Sequence, residues 1–136
     1  MIEKTIRVGK DNKSEIINAT DINGEHDEIK VKQLNWKSLF SVFQDFEDKP
    51  EEDKSKDIIY IMSDGKITTE IFEMSTDKSI DEISEKYSDT EAQKIVDAVC
   101  GVHKNFLKKW EQHKEKEEQR IREMLEIVDK MKELPK

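Results

Sequence analysis

The sequence predicts an α+β fold in which a small N-terminal antiparallel β-sheet is followed by a helical region that ends in a long amphipathic C-terminal helix. Apolar and polar residues alternate in short segments near the N terminus, which is the pattern of strands with one buried face. From residue 35 onward, apolar residues instead recur every three or four positions, as on the buried face of a helix. Residues 89–131 contain no proline and a single glycine, so the last helix can be long.

The same patterns divide the chain into a compact domain and a tail. We predict an α+β domain at residues 1–110, with a β part at 1–34 and a helical part at 35–110, and a charged helical extension at 111–136. Charged residues make up 41% of the 136 residues, and the formal net charge is −8. Ile, Val, Leu and Phe together supply 33 of the 136 residues, or about 24%. Disordered proteins typically fall below ~20%. We therefore expect a folded domain with a thin core.

Several classes of protein are disfavoured by the composition. No run of about 18 apolar residues is present that could cross a membrane. The first ten residues, MIEKTIRVGK, lack the apolar centre of a secretion signal. Cys100 is the single cysteine, which excludes an intramolecular disulfide and a paired-cysteine metal site. We expect a cytoplasmic protein without a membrane partner.

Three strands are predicted for the β part. Residues 2–8 alternate apolar and polar side chains, residues 15–22 are rich in isoleucine and threonine, and residues 28–34 alternate again. Asn23-Gly24 is a strong signal for a tight turn between the second and third strands, because both residues tolerate positive φ. A small antiparallel sheet is the expected result.

The first helix is predicted to follow Asn35, a favourable N-cap residue. Five large apolar side chains then recur at spacings of three and four and form one wide face: Trp36, Leu39, Phe40, Phe43 and Phe46. We expect this face in the core. If it were exposed, it would be a sticky patch of the kind that marks a binding site.

The middle of the chain gives one clear prediction and one open choice. Residues 47–57 are mostly charged and surround Pro50, so we predict a loop; it lacks the glycine that a calcium-binding loop needs at its sharp turn. In residues 58–74, the β-branched side chains and Asp64-Gly65 favour a β-hairpin. The apolar spacing of the same residues favours two short helices broken at Gly65.

Two capping boxes introduce the last helices. Ser79 with Glu82 precedes a short helix, and Ser88 with Glu91 precedes a helix that we expect to run without interruption to about Met131. Such boxes satisfy backbone N–H groups at both ends of the first helical turn. The sequence therefore predicts where both helices begin.

The apolar positions of the long helix predict which parts of it are buried. Residues 91–110 carry a broad apolar face that should be buried, and residues 111–120 are polar on every side. Residues 121–134 regain a narrow apolar stripe that needs a partner. We predict a protein-binding site formed by Ile121, Met124, Leu125, Val128 and Met131. A second copy, giving a homo-oligomer through a coiled coil, or a helical client segment would fit it.

Charge is distributed unevenly along the chain. Residues 1–102 carry 24 acidic and 14 basic residues, whereas residues 103–136 carry 8 acidic and 10 basic ones. The C-terminal lysines alternate with glutamates at helical spacing, as on a solvated helix face. Because a nucleic-acid footprint needs clustered Lys and Arg, we expect no direct nucleic-acid partner. An acidic body can instead dock on a basic protein surface.

Residues for catalysis or metal binding do not converge in the sequence. A glycine-rich phosphate loop and a G-x-S-x-G nucleophile elbow are both missing. Cys100 and His103 lie one helical turn apart, but both fall in the apolar seam, where cysteine acts as a small hydrophobe. His26 and His113 lack the spacing of metal ligands. We expect no catalytic, cofactor or metal site, and a protein that is not an enzyme.

Two segments of the chain resemble phage tail assembly chaperones. The run EIKVKQLNWKSLFSVFQDF, at residues 28–46, is similar to their short β segment that leads into an aromatic-rich helix. The run STDKSIDEISEKYSDTEAQKIVDAVCGVHKNFLKKW, at residues 75–110, is similar to their turn and helix followed by an apolar helix. The similarity lies in apolar spacing and covers about 40% of the chain (55 of 136 residues). His103 and Leu107 depart from the family pattern.

The resemblance implies that residues 58–74 are helical. It also implies a non-enzymatic chaperone that binds the tape measure protein, or a similar apolar helical client, in the cytoplasm of the host cell. Two other functions stay open. One is an acidic phage-encoded inhibitor or decoy that covers a basic surface of a host protein. The other is a scaffold or structural subunit with a helical oligomer interface.

Overall fold

The computed structural model describes residues 14–133, and the strand predicted at residues 2–8 lies outside them. Within the described residues the α+β prediction is confirmed, because an antiparallel pair of strands precedes helices that end in a long C-terminal helix. The elements are β1 Ser14–Thr20, β2 His26–Lys32, α1 Trp36–Glu47, α2 Glu51–Lys54, α3 Ile58–Met62, α4 Thr69–Thr76, α5 Ile80–Lys86, α6 Asp89–Val102 and α7 Lys104–Glu133. The chain divides into two compact units, residues 1–104 and residues 105–136.

The turn between β1 and β2 follows the predicted signal. Asp21 Oδ1 accepts hydrogen bonds from the backbone N–H groups of Asn23 and Glu25, both at 2.9 Å. Gly24 adopts φ +85°, which lies in the left-handed region. Glycine takes this conformation without the steric cost that a Cβ atom brings, so the turn forms where Asn23-Gly24 predicts it.

The core of the first unit lies where α6 packs on both strands and α4 packs on β2. Alternate residues of β2 and residues spaced by three and four in α6 meet in this interior. Its fully buried apolar residues include Ile29, Val31, Ile71, Phe72, Ile95, Val96 and Val99. The two sequence periodicities, two for the strand and 3.6 for the helices, therefore bury their apolar sides against each other.

Residues 58–74 contain α3 and most of α4, which are separated by residues 63–68, so the two-helix alternative is confirmed and the hairpin alternative is wrong. Asp64 and Gly65, which favoured a hairpin turn, instead end α3 with φ values of +55° and +79°. The Gly65 N–H donates to the Tyr60 carbonyl at 2.7 Å, and the Asp64 N–H donates to the Ile61 carbonyl at 3.1 Å. This is the Schellman arrangement, which satisfies the last carbonyls of a helix. Since hairpin turns and helix ends both need positive φ, Asp-Gly does not distinguish them.

Residues 47–57, predicted as a loop, contain the one-turn helix α2. Pro50 lies at its N-cap with φ −60°, the value that the proline ring fixes. The first turn is acidic, as the positive end of a helix favours, with Glu51, Glu52 and Asp53. Lys54 at the other end lies 3.7 Å from carboxylate oxygens of both Glu47 and Glu51. The charge cluster therefore supports a local helical turn.

The long C-terminal helix is broken at His103, where the sequence predicts none, between α6 and α7. The backbone N–H of His103 donates to the Cys100 carbonyl at 3.3 Å, the shorter connection of a tight final turn. The Val99 carbonyl, the usual helical acceptor for this N–H, is hydrogen-bonded to the His103 ring Nδ1 at 2.8 Å. A side chain that occupies this acceptor competes with the helix and ends it.

Candidate protein-binding surface

The distal part of α7 carries an exposed apolar stripe. The five predicted binding residues share one side of the helix, and each is between 44% and 64% exposed: Ile121, Met124, Leu125, Val128 and Met131. Ile127 is 58% exposed and belongs to the same side. The sequence prediction missed Ile127, which is not at an a or d position, although it lies three residues after Met124 and four before Met131. The structure thus brings the predicted residues together on an accessible surface, and protein binding there stays a prediction.

The stripe is wider than a simple coiled-coil seam. At about 100° per residue, its six apolar side chains span about 160° of the helix circumference, from Ile127 to Leu125. A narrow seam would contain only the a and d positions of the heptad. An arc of this width is typical of a helix that buries apolar side chains beyond the a and d positions.

Toward the start of α7, the same face carries buried aromatic and then charged side chains instead of exposed apolar ones. Phe106 and Trp110 are buried, and their rings stack with centroids 6.2 Å apart. Lys114 and Glu117 then continue the face with charged side chains, and none of the side chains in residues 111–120 is buried. The exposed stripe is therefore separated along the helix from the buried aromatic residues.

Polar pairs stabilise α7 on the side of the stripe, just before it begins, and on the opposite side. Arg120 forms an ion pair with Glu117, and Gln119 Nε2 donates to Glu123 Oε1 at 3.1 Å. Pairs at these spacings add a few tenths of a kcal/mol each to an exposed helix, about 0.2–0.5 kcal/mol. They help to explain how α7 stays helical where no side chain is buried.

The two parts of the chain differ in charge. Residues 14–104 carry 22 acidic and 11 basic residues, a net charge of −11. Residues 105–133 carry eight of each sign. Lys130 and Lys132 lie in the last turn of α7, where the negative end of the helix favours them. The apolar stripe therefore lies on a helix of balanced charge, and the acidic excess lies elsewhere in the chain.

Two aromatic residues of α1 that were expected in the core are exposed. Trp36 is 56% exposed and Phe40 is 47% exposed, whereas Leu39, Phe43 and Phe46 are buried as predicted. The buried three lie within about 60° of one another around the helix, and Phe40 lies about 100° from Leu39. A helix in a small domain buries only the centre of a wide apolar face. Trp36 and Phe40 line a shallow hollow of about 520 Å³ with polar side chains of α1.

His103 is fully buried and has a structural role. Its Nε2 accepts a hydrogen bond from the Leu34 N–H at 2.9 Å, and its Nδ1–H donates to the Val99 carbonyl at 2.8 Å. These partners assign a neutral ring with the proton on Nδ1, and burial lowers the pKa of His103. Because both ring nitrogens are occupied, His103 is not available as a base for Cys100. Burial also raises the pKa of the Cys100 thiol, which disfavours the reactive thiolate.

One polar cluster connects the hairpin with the end of α5. The Tyr87 hydroxyl donates to Asp27 Oδ2 at 2.7 Å, and Lys86 Nζ lies 3.1 Å from the same oxygen. The hydrogen bond from Tyr87, followed by that from Lys86, lowers the pKa of Asp27. The cluster joins two elements and contains a single carboxylate. Within residues 14–133, no three His, Cys, Asp or Glu side chains are grouped in a way that could hold a metal ion.

Wider comparisons do not assign the chain to a family. In the part of the chain that the structure describes, none of the helices is both long enough and apolar enough to span a membrane. Comparison with protein-family models, with curated proteins and with solved structures finds no match to this chain. The function is therefore inferred from the exposed surface of α7 and from the charge of the chain.

Proposed function

We propose that this protein is a phage tail assembly chaperone, which binds an apolar helical segment of the tape measure protein and keeps it in solution during tail assembly. It acts without catalysing a reaction, in the cytoplasm of the host cell. The observation that supports this most directly is the exposed apolar stripe on α7. Single exposed apolar residues are ordinary, whereas a continuous row is typical of a protein-binding surface. The resemblance of residues 28–46 and 75–110 to tail assembly chaperones supports the class of client.

An amphipathic helix is the client that the stripe fits best. Such a helix places side chains at i, i+3, i+4 and i+7 against a complementary apolar face, and residues 121–131 offer about 15 Å of such a face. Burying the exposed parts of the six side chains, roughly 600 Å², contributes on the order of 15 kcal/mol at about 25 cal/mol per Å². Association costs a similar amount, about 4–15 kcal/mol. We therefore expect a moderate affinity, which allows release when the tail tube polymerises around the client.

The acidic part of the chain suits a carrier of apolar helices. A net charge of −11 over residues 14–104 makes copies of the protein repel one another. A long client helix that is coated with several copies would acquire the same negative charge. Repulsion between coated clients opposes the aggregation that bare apolar stripes promote.

Co-expression with fragments of the tape measure protein from the same genome tests this proposal. We expect the fragments to move from the insoluble to the soluble fraction when the chain is present. Met124→Lys with Val128→Lys should abolish the effect, because two charges then interrupt the stripe. Gln112→Lys with Gln119→Lys is the matched control, since it adds the same two lysines to the opposite face of the same helix.

The two variants also separate binding from folding. Both should unfold at the same urea concentration as the unchanged chain, because all four side chains are exposed. The proposal fails if the fragments stay insoluble with the unchanged chain, or if the control variant loses the effect as completely as the stripe variant does.

The charge of residues 14–104 favours a second candidate, an acidic inhibitor or decoy that covers a basic surface of a host protein. Such a complex would form through the acidic body and weaken steeply as salt rises. Client binding through an apolar stripe would change little between about 0.05 and 0.5 M salt. Salt dependence of the captured complex therefore distinguishes the two functions.

A structural subunit would use the same stripe as a permanent oligomer interface. It would be present in purified virions, whereas a chaperone leaves before the particle is complete. Quantifying the chain in purified particles therefore separates a scaffold that stays from a carrier that is released.

A further inference from the structure

We propose that, without a client, the stripe is covered by the stripe of a second copy of this chain. The two α7 helices run antiparallel, and the two-fold axis that relates them passes near residue 126 of each. This pairing is inferred from the positions and charges of α7 and does not depend on the identity of the client. It concerns residues 118–132, all of which are exposed along the helix. The contact is two-fold symmetric, so each copy contributes the same residues.

The apolar side chains occupy heptad positions that suit such a pair. Ile121 and Val128 are a positions, and Met124 and Met131 are d positions. In antiparallel helices an a position faces a d position of the partner. With the centre near residue 126, Ile121 lies opposite Met131 of the second copy, and Met124 lies opposite Val128 of the second copy.

The flanking positions explain the unusual width of the stripe. On one side of an antiparallel pair, e positions face each other, and on the other side g positions do. Leu125 therefore meets Leu125 of the second copy, and Ile127 meets Ile127 of the second copy. All six apolar side chains are covered, including Ile127, which the a and d positions alone leave exposed.

Charge complementarity favours the same register. Glu118 and Lys132 are both e positions and are both exposed. In the antiparallel pair, Glu118 lies opposite Lys132 of the second copy, and the two-fold axis repeats this ion pair at the other end. Opposite charges at e positions set the orientation of paired helices.

The parallel alternative brings like charges together. In a parallel pair in register, each core position faces its own copy, so Lys114 would face a lysine and Glu117 would face a glutamate. Arg120 would also lie against Leu125 of the second copy, and Lys132 against Ile127. The antiparallel register avoids all four of these mismatches.

The exposed apolar area is enough for a reversible dimer. With 44% to 64% exposure, the six side chains leave on the order of 600 Å² per copy, or about 1,200 Å² for the pair. That lies at the lower limit of interfaces that form specific complexes, about 1,200–2,000 Å². We therefore expect a dimer that dissociates on dilution and that a client helix displaces, because both use the same side chains.

Sedimentation of the full chain over about 1–100 µM tests the pairing. We expect a concentration-dependent monomer–dimer equilibrium. Glu118→Lys and Lys132→Glu should each weaken dimerisation about tenfold, since each replaces two attractive pairs by two repulsive ones. Glu118→Lys combined with Lys132→Glu should restore it. Glu126→Lys, which makes the same charge change on the outer face, is the control and should leave the dimer unchanged.

Disulfide formation tests the orientation. In a Cys100→Ala background, a mixture of the Ile121→Cys and Met131→Cys chains should form a mixed disulfide under mild oxidation, and Ile121→Cys alone should not cross-link. Cross-linking of Ile121→Cys to itself, or a monomer at every concentration, overturns the proposal. Neither result bears on client solubility, so failure here is distinguishable from failure of the proposed function.

Discussion

Phe40 and Phe43 lie three residues apart in α1 and differ in burial, so replacing each by alanine measures what burial contributes to stability. Phe43 is 3% exposed and Phe40 is 47% exposed. Phe43→Ala removes a fully buried ring and leaves a cavity, which costs about 3–5 kcal/mol. Phe40→Ala removes a ring that is half in water and leaves no enclosed space, so we expect about 1 kcal/mol, roughly half of the transfer free energy of phenylalanine.

Urea unfolding of both variants measures this difference. The two substitutions are chemically identical and occur in one helix, so the change in helix propensity cancels between them. A difference of about 2–4 kcal/mol separates the midpoints by about 1–2 M urea at the usual slope for a chain of this size. Equal midpoints for Phe40→Ala and Phe43→Ala would refute the assignment of Phe40 to the exposed side of α1.

Three further predictions concern the polar and turn residues. Burial lowers the pKa of His103 in the folded chain, so below about pH 6.5 the unfolded chain binds more protons and the free energy of unfolding should fall as the pH drops. His103→Gln should flatten this pH dependence, which urea titrations at about pH 7.5 and 5.5 measure. Gly65→Ala should lower the free energy of unfolding by about 1 kcal/mol, seen as a lower urea midpoint, because Gly65 has φ +79° at the end of α3. Gly101→Ala is the control, since Gly101 lies within α6 and an added Cβ there meets no atom within 4 Å. Tyr87→Phe should cost about 1 kcal/mol by removing the hydrogen bond to Asp27, and the pKa of Asp27, followed by NMR, should rise toward its ordinary value; no change in that pKa would contradict the role assigned to the Tyr87 hydroxyl.

Most of the predictions that the structure confirms rest on residues that lie close together in the sequence. Asn35, Ser79 and Ser88 act as N-caps where the sequence places them, because their side chains accept hydrogen bonds from N–H groups three residues later. Spacing also identified five of the six exposed residues of the α7 stripe, all except Ile127, since the apolar positions of a helix lie on the same face in any surroundings. Features that depend on residues three or four positions apart can therefore be predicted from the sequence alone.

Other features depend on residues far apart in the chain. At the break, the His103 ring is also held by Leu34, whose N–H donates to Nε2 from 69 positions away in the chain. Whether Asp64-Gly65 turns a hairpin or ends a helix depends on what residues 58–74 pack against. The exposure of Trp36 and Phe40 likewise depends on how much of α1 the small domain can cover. The spacing of apolar residues predicts which side of a segment is apolar. The volume and shape of the assembled core determine how much of that side is buried.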